Sequence, residues 1–375
     1  MKILELGKFY WPSRGGMETL LLEFCRGFAA MGHQVQCVVA NEKAKRELAE
    51  IDGVKVKRVA QYGKLMSTSI SPEYLLACRS YESDIWHHHF PNPLADLAAL
   101  LGNKATPMIM TYHSDIIRQA QVMKVYAPIM NKVLDRTEKI IVATPNHFKY
   151  SKWLQPFEHK VEVIPFGIEL DALKWQETDK EPVDRMREEA TQHPIFLNVG
   201  RLVGYKGQSV LIKALKNVSG TLWIVGQGPL EQELKLLTHS LGLENRVRFW
   251  GEVSADQLRQ LNHACDIFAF PSITPNEAFG LVQAEAMACG KPVICTDLRS
   301  GVPCVNLHGK TGLVVKPGCV ESFAEAMKTL GDDGILRNEL GMNARERAFQ
   351  EFEKNVMLRR YINLMESVAG IRTAN

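Results

Sequence analysis

Two glutamates lie eight residues apart in the sequence EAFGLVQAE, which runs from Glu277 to Glu285. Gly280 stands between them, and an Ala-rich apolar run follows. The run stops at Gly290, with Pro292 shortly beyond it, and this order of Gly and Pro is typical of a helix C-terminus. The pattern predicts a loop, a helix and then a buried parallel strand over residues 292–295.

The spacing of the two glutamates argues against an acid/base pair. Eight helical residues span about 12 Å, whereas the paired carboxylates of a retaining glycosidase lie about 5 to 5.5 Å apart. Glu277 and Glu285 are therefore expected to hold different parts of one long ligand. The helix start between them offers backbone N–H groups and the positive end of the helix dipole to a phosphate. An ordinary surface helix with two solvated glutamates is the alternative.

Two cationic side chains lie five residues apart in the loop GRLVGYKG, which follows a predicted strand. Arg201 offers a bidentate guanidinium and Lys206 a compact ammonium, and together they suit a diphosphate leaving group. A solvated turn is the alternative. The position at a strand end favours ligand binding, because open parallel sheets bind ligands beyond the carboxyl ends of their strands.

The N-terminal strand is followed by Gly15 and Gly16 and then by a helical pattern. Glycines in such a turn let the backbone approach a ligand closely. The turn has no GxGxxG sequence, so a nicotinamide enzyme is disfavoured. His113 follows another predicted strand, beside Ser114 and Asp115. A neutral imidazole there could exchange a hydrogen bond with a sugar hydroxyl, and a purely structural histidine is the alternative.

Three consecutive histidines, residues 87–89, end a further predicted strand. Alternate residues of a strand face opposite ways, so at most His87 and His89 could share a metal ion. No third ligand is apparent in the sequence. We therefore predict no metal site, and a strand end from which one histidine faces the cleft.

The strands that position these residues alternate with helical patterns, which predicts parallel sheets covered on both faces. The first series ends near residue 168, and a charge-rich segment over residues 169–193 is predicted to be a linker with a short helix. The fold class is α/β, with two Rossmann-like domains over residues 1–168 and 169–351 that face each other across a cleft. A C-terminal helix over residues 352–375 is expected to pack back on the first domain. The predicted strands are residues 35–40, 54–59, 85–88, 108–112, 139–143 and 161–164, then 195–199, 221–225, 247–250, 267–269, 293–295 and 312–315.

Composition excludes several classes of protein. The chain is 46% apolar and 23% charged, which is ordinary for a globular protein. The net charge of +3 is too small to indicate nucleic-acid binding, and eight cysteines without CxxC spacing indicate free thiols. No apolar run approaches the roughly 18 residues of a membrane span. The N-terminus goes straight into a strand without a signal peptide, so a cytoplasmic protein is expected.

Charge is unevenly distributed along the chain. Residues 1–168 carry 21 Lys and Arg against 16 Asp and Glu. A basic N-terminal half is compatible with a weak approach to an anionic membrane surface. The stretch from Ile116 to Leu134 is amphipathic, and its basic residues could touch lipid phosphates, although a solvated helix face is the commoner explanation. These basic residues are Arg118, Lys124, Lys132 and, just beyond the stretch, Arg136.

Taken together, these motifs resemble the retaining family-four glycosyltransferases of the GT-B type. The resemblance covers nearly the whole chain in the right order, and it is most specific where the EAFGL segment with Glu285 follows the Arg/Lys loop. The segment TYHSDII, over residues 111–117, is further similar to bacterial mannosyltransferases that build O-antigen or exopolysaccharide.

The resemblance implies a role for each site residue. Arg201 and Lys206 would neutralise the departing nucleoside diphosphate, Glu277 would bind hydroxyls of the donor sugar, and Glu285 would bind the ribose. His113 would orient the sugar or the transferring group. The catalytic set is thus His113, Glu277, Arg201 and Lys206, and the further donor-binding residues are Gly15, Gly16, Phe279, Gly280, Leu281 and Glu285.

The expected function is transfer of a hexose, namely mannose from GDP-mannose, to a lipid-linked saccharide, with retention of configuration. The resemblance implies no metal and no cofactor. The partners are the nucleotide-sugar donor and the acceptor, at the inner face of the cytoplasmic membrane. The alternatives are a UDP-sugar-dependent transferase with another acceptor, a sugar-nucleotide epimerase, and a non-catalytic homologue that binds nucleotide sugars.

Overall fold

A computed structural model describes residues 1–13, 15–65, 68–103, 105–116 and 120–371. Arg118 therefore lies outside the described residues, and the side chain of Lys124 is not described. The chain divides into two compact units, residues 1–165 with 357–375, and residues 166–356. Each unit is an α/β structure built on its own sheet.

The first unit contains an eight-stranded sheet in the order β10-β9-β8-β7-β1-β2-β4-β3. Every neighbouring pair is parallel except β3 with β4. The helices are α1 (Gly16–Ala30), α2 (Glu73–Arg79), α3 (Pro93–Leu101), α4 (Ala120–Arg136) and α5 (Pro145–Tyr150). The strands are β1 (Lys2–Leu6), β2 (Gln34–Ala40), β3 (Glu47–Ile51), β4 (Val54–Val59), the hairpin β5 (Lys64–Leu65) and β6 (Thr68–Ser69), β7 (Ile85–Phe90), β8 (Met108–Tyr112), β9 (Lys139–Val142) and β10 (Val161–Val163).

The second unit contains a six-stranded, all-parallel sheet in the order β13-β12-β11-β14-β15-β16. Its strands are β11 (Ile195–Val199), β12 (Thr221–Val225), β13 (Val247–Gly251), β14 (Ile267–Phe270), β15 (Val293–Thr296) and β16 (Gly312–Val315). Its helices are α6 (Lys180–Glu188), α7 (Gln208–Leu215), α8 (Glu231–Ser240), α9 (Ala255–Ala264), α10 (Leu281–Ala288), α11 (Val302–Val305), α12 (Val320–Asp332) and α13 (Gly334–Glu351).

The predicted fold class, two parallel-sheet α/β units, is confirmed. The twelve predicted strands lie within two residues of their observed bounds at either end. The central strands of both sheets are largely apolar runs that are buried on both faces, as is typical of parallel sheets. In β14, for example, all four residues are at most 1% exposed. Strand β3 was not predicted, because its sequence ELAEI is charged and lies exposed at the sheet edge.

The segment predicted to be a linker is instead folded into the second unit. Asp179 is fully buried and accepts two hydrogen bonds from the Arg259 guanidinium, at 2.8 and 3.0 Å. Val183 and Met186 on α6 are also buried. The charge-rich composition concealed this packing, because a buried charge is indistinguishable from a solvated one until its partner is known.

The last helix, α14 (Lys354–Ala369), places aromatic and apolar residues in the first unit. The Tyr361 ring lies 4.6 Å from that of Phe24, and its hydroxyl is 2.9 Å from Thr111 Oγ1. On α1, a Cβ at Gly27 would overlap Leu358, so the glycine permits close approach of the two helices.

All eight cysteines are free thiols, as predicted, and five of them are fully buried. Within the described residues, no helix is both long and apolar enough to span a bilayer.

Candidate active site

Lys206 is held by a tight turn after β11. Residues 204–206 form one 3-10 turn, and Gly207 then adopts a left-handed conformation with φ of 71° before α7 begins. A Cβ at Gly207 would also collide with the carbonyl of Pro271. The turn therefore requires glycine there, and it fixes the direction in which the preceding lysine leaves the backbone.

Lys206 and Glu277 form an ion pair in the second unit. Lys206 Nζ is 2.5 Å from Glu277 Oε2, and the Ser272 hydroxyl donates to the same oxygen at 3.2 Å. The ammonium lies 5.2 Å from the centre of the Phe270 ring. The two side chains are 15% and 11% exposed, so the pair is shielded but reachable. The structure thus brings together two predicted site residues that are 71 positions apart in the sequence.

The helix start between the two glutamates is shaped by Gly280. Its φ of 77° is left-handed, and a Cβ would lie 2.8 Å from the Phe270 ring. Within the described residues, no side chain caps the N-terminus of α10. Its first N–H groups can therefore face an anion. Phe279 is 4% exposed and packs against the rings of Phe166 and Phe352, so its side chain belongs to the core.

Glu285 lies on α10, where burial raises the pKa of its carboxyl. Glu277 precedes the helix and lies in a loop, since α10 begins only at Leu281. The estimate of 12 Å between the two carboxylates assumed eight helical residues and does not apply. What separates them is a loop of three residues, 278–280, followed by about one helical turn.

Arg201 is exposed at the start of the same loop as Lys206. Its carbonyl accepts a hydrogen bond from Gln208 Nε2 at 3.2 Å. A Cβ at Gly226 would overlap the carbonyl of Gly200, so the glycine turn after β12 packs directly on this loop. Among the described ion pairs, Glu277 is joined to Lys206 and not to Arg201.

In the first unit, Gly15 and Gly16 are exposed at the N-terminus of α1. Gly15 has an extended φ of 177° that any residue can adopt. A Cβ there would nevertheless overlap the carboxylate of Glu18 in the first helical turn. A phosphate at this helix start would therefore have to displace an acidic side chain, which sequence reasoning did not foresee.

His113 directly follows β8 and is 9% exposed. Its backbone N–H donates to the carbonyl of Phe90 at 3.1 Å. Its ring stacks on that of His89, with centroids 5.4 Å apart and planes 17° apart. Burial and the nearby His89 lower the pKa of His113 well below its usual range. The imidazole is consequently neutral at physiological pH.

Two expectations about the histidine triplet were wrong. All three rings are buried, at 1% exposure or less, so none of them faces solvent. A third polar partner is also present, because Glu5 of β1 lies opposite His87 in the sheet register and contacts both His87 and His89. His88 points to the other face of the sheet and bonds to Asp96 at 2.6 Å. Glu5 was missed because the sequence does not say that β1 and β7 are neighbours.

Comparison with known proteins agrees with this architecture. Residues 14–172 match the family described as Glycosyltransferase Family 4, and residues 179–347 match Glycosyl transferases group 1. The D-rhamnosyltransferase WbpZ of Pseudomonas aeruginosa is 33% identical, over 94% of this chain and 92% of the relative. The O-antigen chain mannosyltransferase C of Escherichia coli is 30% identical, over 97% and 98%. A GDP-mannose-dependent alpha-(1-6)-phosphatidylinositol monomannoside mannosyltransferase of Mycobacterium tuberculosis is 26% identical, over 92% and 93%.

Solved structures support the fold. Sucrose-phosphate synthase from Thermosynechococcus elongatus superposes with a TM-score of 0.76 and 22% identity, over 99% of this chain and all of that one. Anabaena HepE in complex with UDP superposes with a TM-score of 0.77 and 22% identity, over 98% of this chain and all of that one. The protein belongs to the family-four glycosyltransferases and has the GT-B fold.

Proposed function

We propose that this glycosyltransferase moves mannose from GDP-mannose to a lipid-linked saccharide in cell-surface polysaccharide synthesis, with retention of configuration and without a metal ion. The observation that carries the proposal is the Lys206–Glu277 ion pair, at 2.5 Å between Nζ and Oε2. An ammonium suits the phosphates of a nucleotide sugar, and a carboxylate suits the hydroxyls of its hexose.

Lys206 and Glu277 would exchange partners when the donor binds. Without a donor each neutralises the other, and the Phe270 ring further shields the ammonium. With the donor bound, the ammonium contacts the diphosphate while Glu277 accepts hydrogen bonds from sugar hydroxyls. As the bond to the sugar breaks, negative charge develops on the diphosphate, and a cation fixed in advance stabilises that charge most effectively.

The second unit can supply cationic stabilisation from its own groups. Lys206, Arg201 and the uncapped N-terminus of α10 are positioned on loops that follow β11 and β14. Such groups can fulfil the charge-neutralising role that a divalent ion has in other transferases. We therefore assign stabilisation of the leaving diphosphate to these groups, and the proposed mechanism requires no metal ion.

Glu285 is assigned to the ribose. Burial raises the pKa of its carboxyl, which means that its charged form is poorly solvated. Hydroxyl donors from a ribose would restore the hydrogen bonds that burial removes. In the first unit, His113 is assigned to the transferred sugar, where its neutral imidazole can accept a hydrogen bond from a hydroxyl.

Two relatives support mannose, and one supports a second candidate. The mannosyltransferases of Escherichia coli and Mycobacterium tuberculosis match over nearly their whole length. The D-rhamnosyltransferase of Pseudomonas aeruginosa is similar to this chain at 33% identity. D-Rhamnose is mannose without its 6-hydroxyl, so the two donors differ by one hydrogen-bonding group. A site that bonds to that hydroxyl would discriminate by roughly 10⁴-fold or more.

The lipid-linked acceptor, the cytoplasmic location and a peripheral membrane contact are likewise proposals. They rest on the relatives' names and on the basic balance of residues 1–168. Lys132 on α4 is exposed and available to lipid phosphates. Arg136 is not, because its guanidinium donates to the carbonyl of Asn103 at 2.8 Å and stacks on Trp86.

The test is a calorimetric screen of the purified protein against GDP, UDP, ADP and their sugar derivatives in the presence of EDTA. Preferential binding of GDP and GDP-mannose is expected. Preference for GDP-rhamnose would favour the second candidate donor. Preference for UDP or ADP would contradict the assignment of a GDP-sugar as the donor. A strict need for added metal would overturn the metal-independent mechanism.

Transfer activity separates the remaining alternatives. Slow release of GDP from GDP-mannose without acceptor is expected of a transferase. Binding without release would indicate a non-catalytic homologue. Conversion of UDP-GlcNAc to its epimer would indicate an epimerase.

A further inference from the structure

Glu5 lies at the centre of a buried chain of hydrogen-bonded side chains in the first unit. Its Oε1 is 3.0 Å from His87 Nδ1, and its Oε2 is 2.9 Å from His89 Nε2. His89 Nδ1 in turn lies 3.2 Å from His113 Nε2. Glu5, His87 and His89 are at most 1% exposed. The chain thus connects a fully buried carboxylate to the histidine assigned to the transferred sugar.

The proton positions in this chain follow from the chemistry of Glu5. Burial raises the pKa of Glu5, but the charge and hydrogen bonds of His87 and His89 outweigh that effect and hold it at about 2. An ionised carboxylate can accept hydrogen bonds and cannot donate them. Each imidazole nitrogen that faces Glu5 must therefore carry a proton, and His89 donates from Nε2.

The same logic extends from His89 to His113. Burial and the neighbouring His87 lower the pKa of His89 to about 4, so its ring is neutral at pH 7 and has its lone pair on Nδ1. His89 Nδ1 must then accept a proton from His113 Nε2. A neutral His113 that donates from Nε2 has its own lone pair on Nδ1. Any group that contacts His113 Nδ1 through a hydrogen bond must therefore be a donor.

A bound metal ion is the competing explanation for this cluster. One ligand atom from each of Glu5, His87 and His89 lies within 4.8 Å of the others. A zinc ion would need three such atoms at about 2.0 to 2.2 Å, each with its lone pair directed at the ion. Here both imidazole nitrogens instead point at carboxylate oxygens at hydrogen-bond distance. This geometry is that of an ordered proton network.

We infer that Glu5 and His89 are positioning residues that hold His113 as its neutral Nε2–H tautomer, with Nδ1 as the acceptor for a hydroxyl of the transferred sugar. The assignment of that hydroxyl rests on the proposed function of His113, whereas the tautomer rests on the hydrogen-bond geometry and the protonation states of the buried chain. Other titratable groups act on the chain electrostatically: His88 and His147 on His113, and Cys25 and Tyr361 through their interaction with Glu5. Thr111 continues it beyond His87, 2.7 Å from His87 Nε2.

The test is the tautomer of His113, measured by two-bond ¹H–¹⁵N NMR on the intact protein labelled with ¹⁵N in its 11 histidines. The His113 signals are assigned by their loss in His113→Asn. A single tautomer with the proton on Nε2 is expected from pH 6.5 to 8. A proton on Nδ1, or a mixture in the wild type, would overturn the inference. So would zinc at one equivalent per chain in the protein as purified.

Two substitutions at His89 test whether the positioning matters. His89→Leu removes the acceptor, so His113 is expected to populate both tautomers and kcat to fall at least about tenfold, with donor KM changed less than threefold. His89→Asn keeps a short polar side chain that can accept the hydrogen bond, and should recover most of kcat and the single tautomer. Unchanged kcat and tautomer in folded His89→Leu would contradict the inference.

The outcomes also separate this inference from the proposed function. If wild-type His113 has the expected tautomer but His113→Asn transfers sugar normally, the role of His113 toward the sugar fails and the proton order stands. If GDP-mannose is not bound at all, the donor proposal fails independently of the NMR result.

Discussion

The two units place their chemically important side chains in opposite environments. In the second unit, Lys206 and Glu277 are on loops, are partly exposed and are joined by one salt bridge. In the first unit, Glu5 and His89 are on strands, are almost completely buried, and form an ordered chain that includes His113. The first arrangement can exchange its partners for a ligand. The second is fixed by its surroundings.

This contrast indicates two ways of preparing a transferase site. An ion pair on loops has no net charge without a ligand, and its two side chains separate to contact the donor when the donor binds. A hydrogen-bond network on strands has a single low-energy arrangement of protons before any ligand binds, because every buried polar group needs its partner. Substitutions in the loops should therefore affect mainly turnover, whereas substitutions in the network should also change the tautomer, the stability and its pH dependence.

The largest effect is expected at the ion pair. Lys206→Ala and Glu277→Ala should each lower turnover by about 10² to 10³-fold, the usual loss when one preorganised charged contact to the transition state is removed. Steady-state transfer or donor hydrolysis measures this, with the thermal midpoint showing that the variants are folded. Lys213 on α7 has an exposed side chain, so Lys213→Ala is the matched control and its turnover should be near that of the wild type. Turnover within threefold of wild type in either site variant would remove that residue from the mechanism.

A second prediction concerns acid stability of the first unit. Burial and its neighbours lower the pKa of His89 to about 4, and the pKa of His113 is lowered too. Below about pH 6.5 these histidines bind protons in the unfolded chain but remain neutral in the folded protein. The free energy of unfolding therefore falls as the pH drops toward 4. His89 alone accounts for about 2 kcal/mol at pH 5. His147, which is also in the first unit, has a pKa that burial lowers, and it acts in the same direction.

Denaturant unfolding at pH 7.5 and pH 5 measures this loss. In His89→Asn the free energy of unfolding should differ less between pH 7.5 and pH 5 than in the wild type, because one titrating group has been removed. An identical pH dependence in wild type and variant would show that His89 does not titrate on unfolding.

A third prediction concerns the backbone at the start of α10. Gly280→Ala should destabilise the protein by about 1 to 3 kcal/mol, because alanine is strained at φ of 77° and its Cβ would press on the Phe270 ring. Gly334→Ala on α13, where φ is not positive, is the control and should change the free energy of unfolding little. A Gly280→Ala variant as stable as the control would mean that the turn can relax.

The smallest effect is expected at Glu285. Glu285→Ala should weaken GDP binding about tenfold, or about 1.4 kcal/mol, by removing one charge-assisted hydrogen bond to the ribose. Calorimetry with GDP alone isolates this contact from the sugar, and Glu325→Ala on the exposed face of α12 serves as the control. Equal GDP affinity in wild type and Glu285→Ala would exclude the ribose role.

The sequence predicted the features that are local. Strand β15 and helix α10 could be recognised from the apolar run and its Gly and Pro boundaries. Lys206 and Glu277 could each be singled out from a glycine-rich loop, although their direct contact could not.

What escaped prediction depends on which distant segments meet. Glu5 joins the histidine chain only because β1 and β7 are neighbours in the sheet. Asp179 belongs to the second unit because Arg259, 80 residues away, binds it. Glu18 lies over Gly15 because of its side-chain conformation. Composition and periodicity do not specify such pairings.

The most direct measurement is the release of GDP from GDP-mannose in EDTA by wild type and by Lys206→Ala, followed by chromatography. We predict release by the wild type at a rate lowered about 10²-fold or more in the variant. Equal rates in the two proteins, or no release by the wild type while another nucleotide sugar is consumed, would contradict the account.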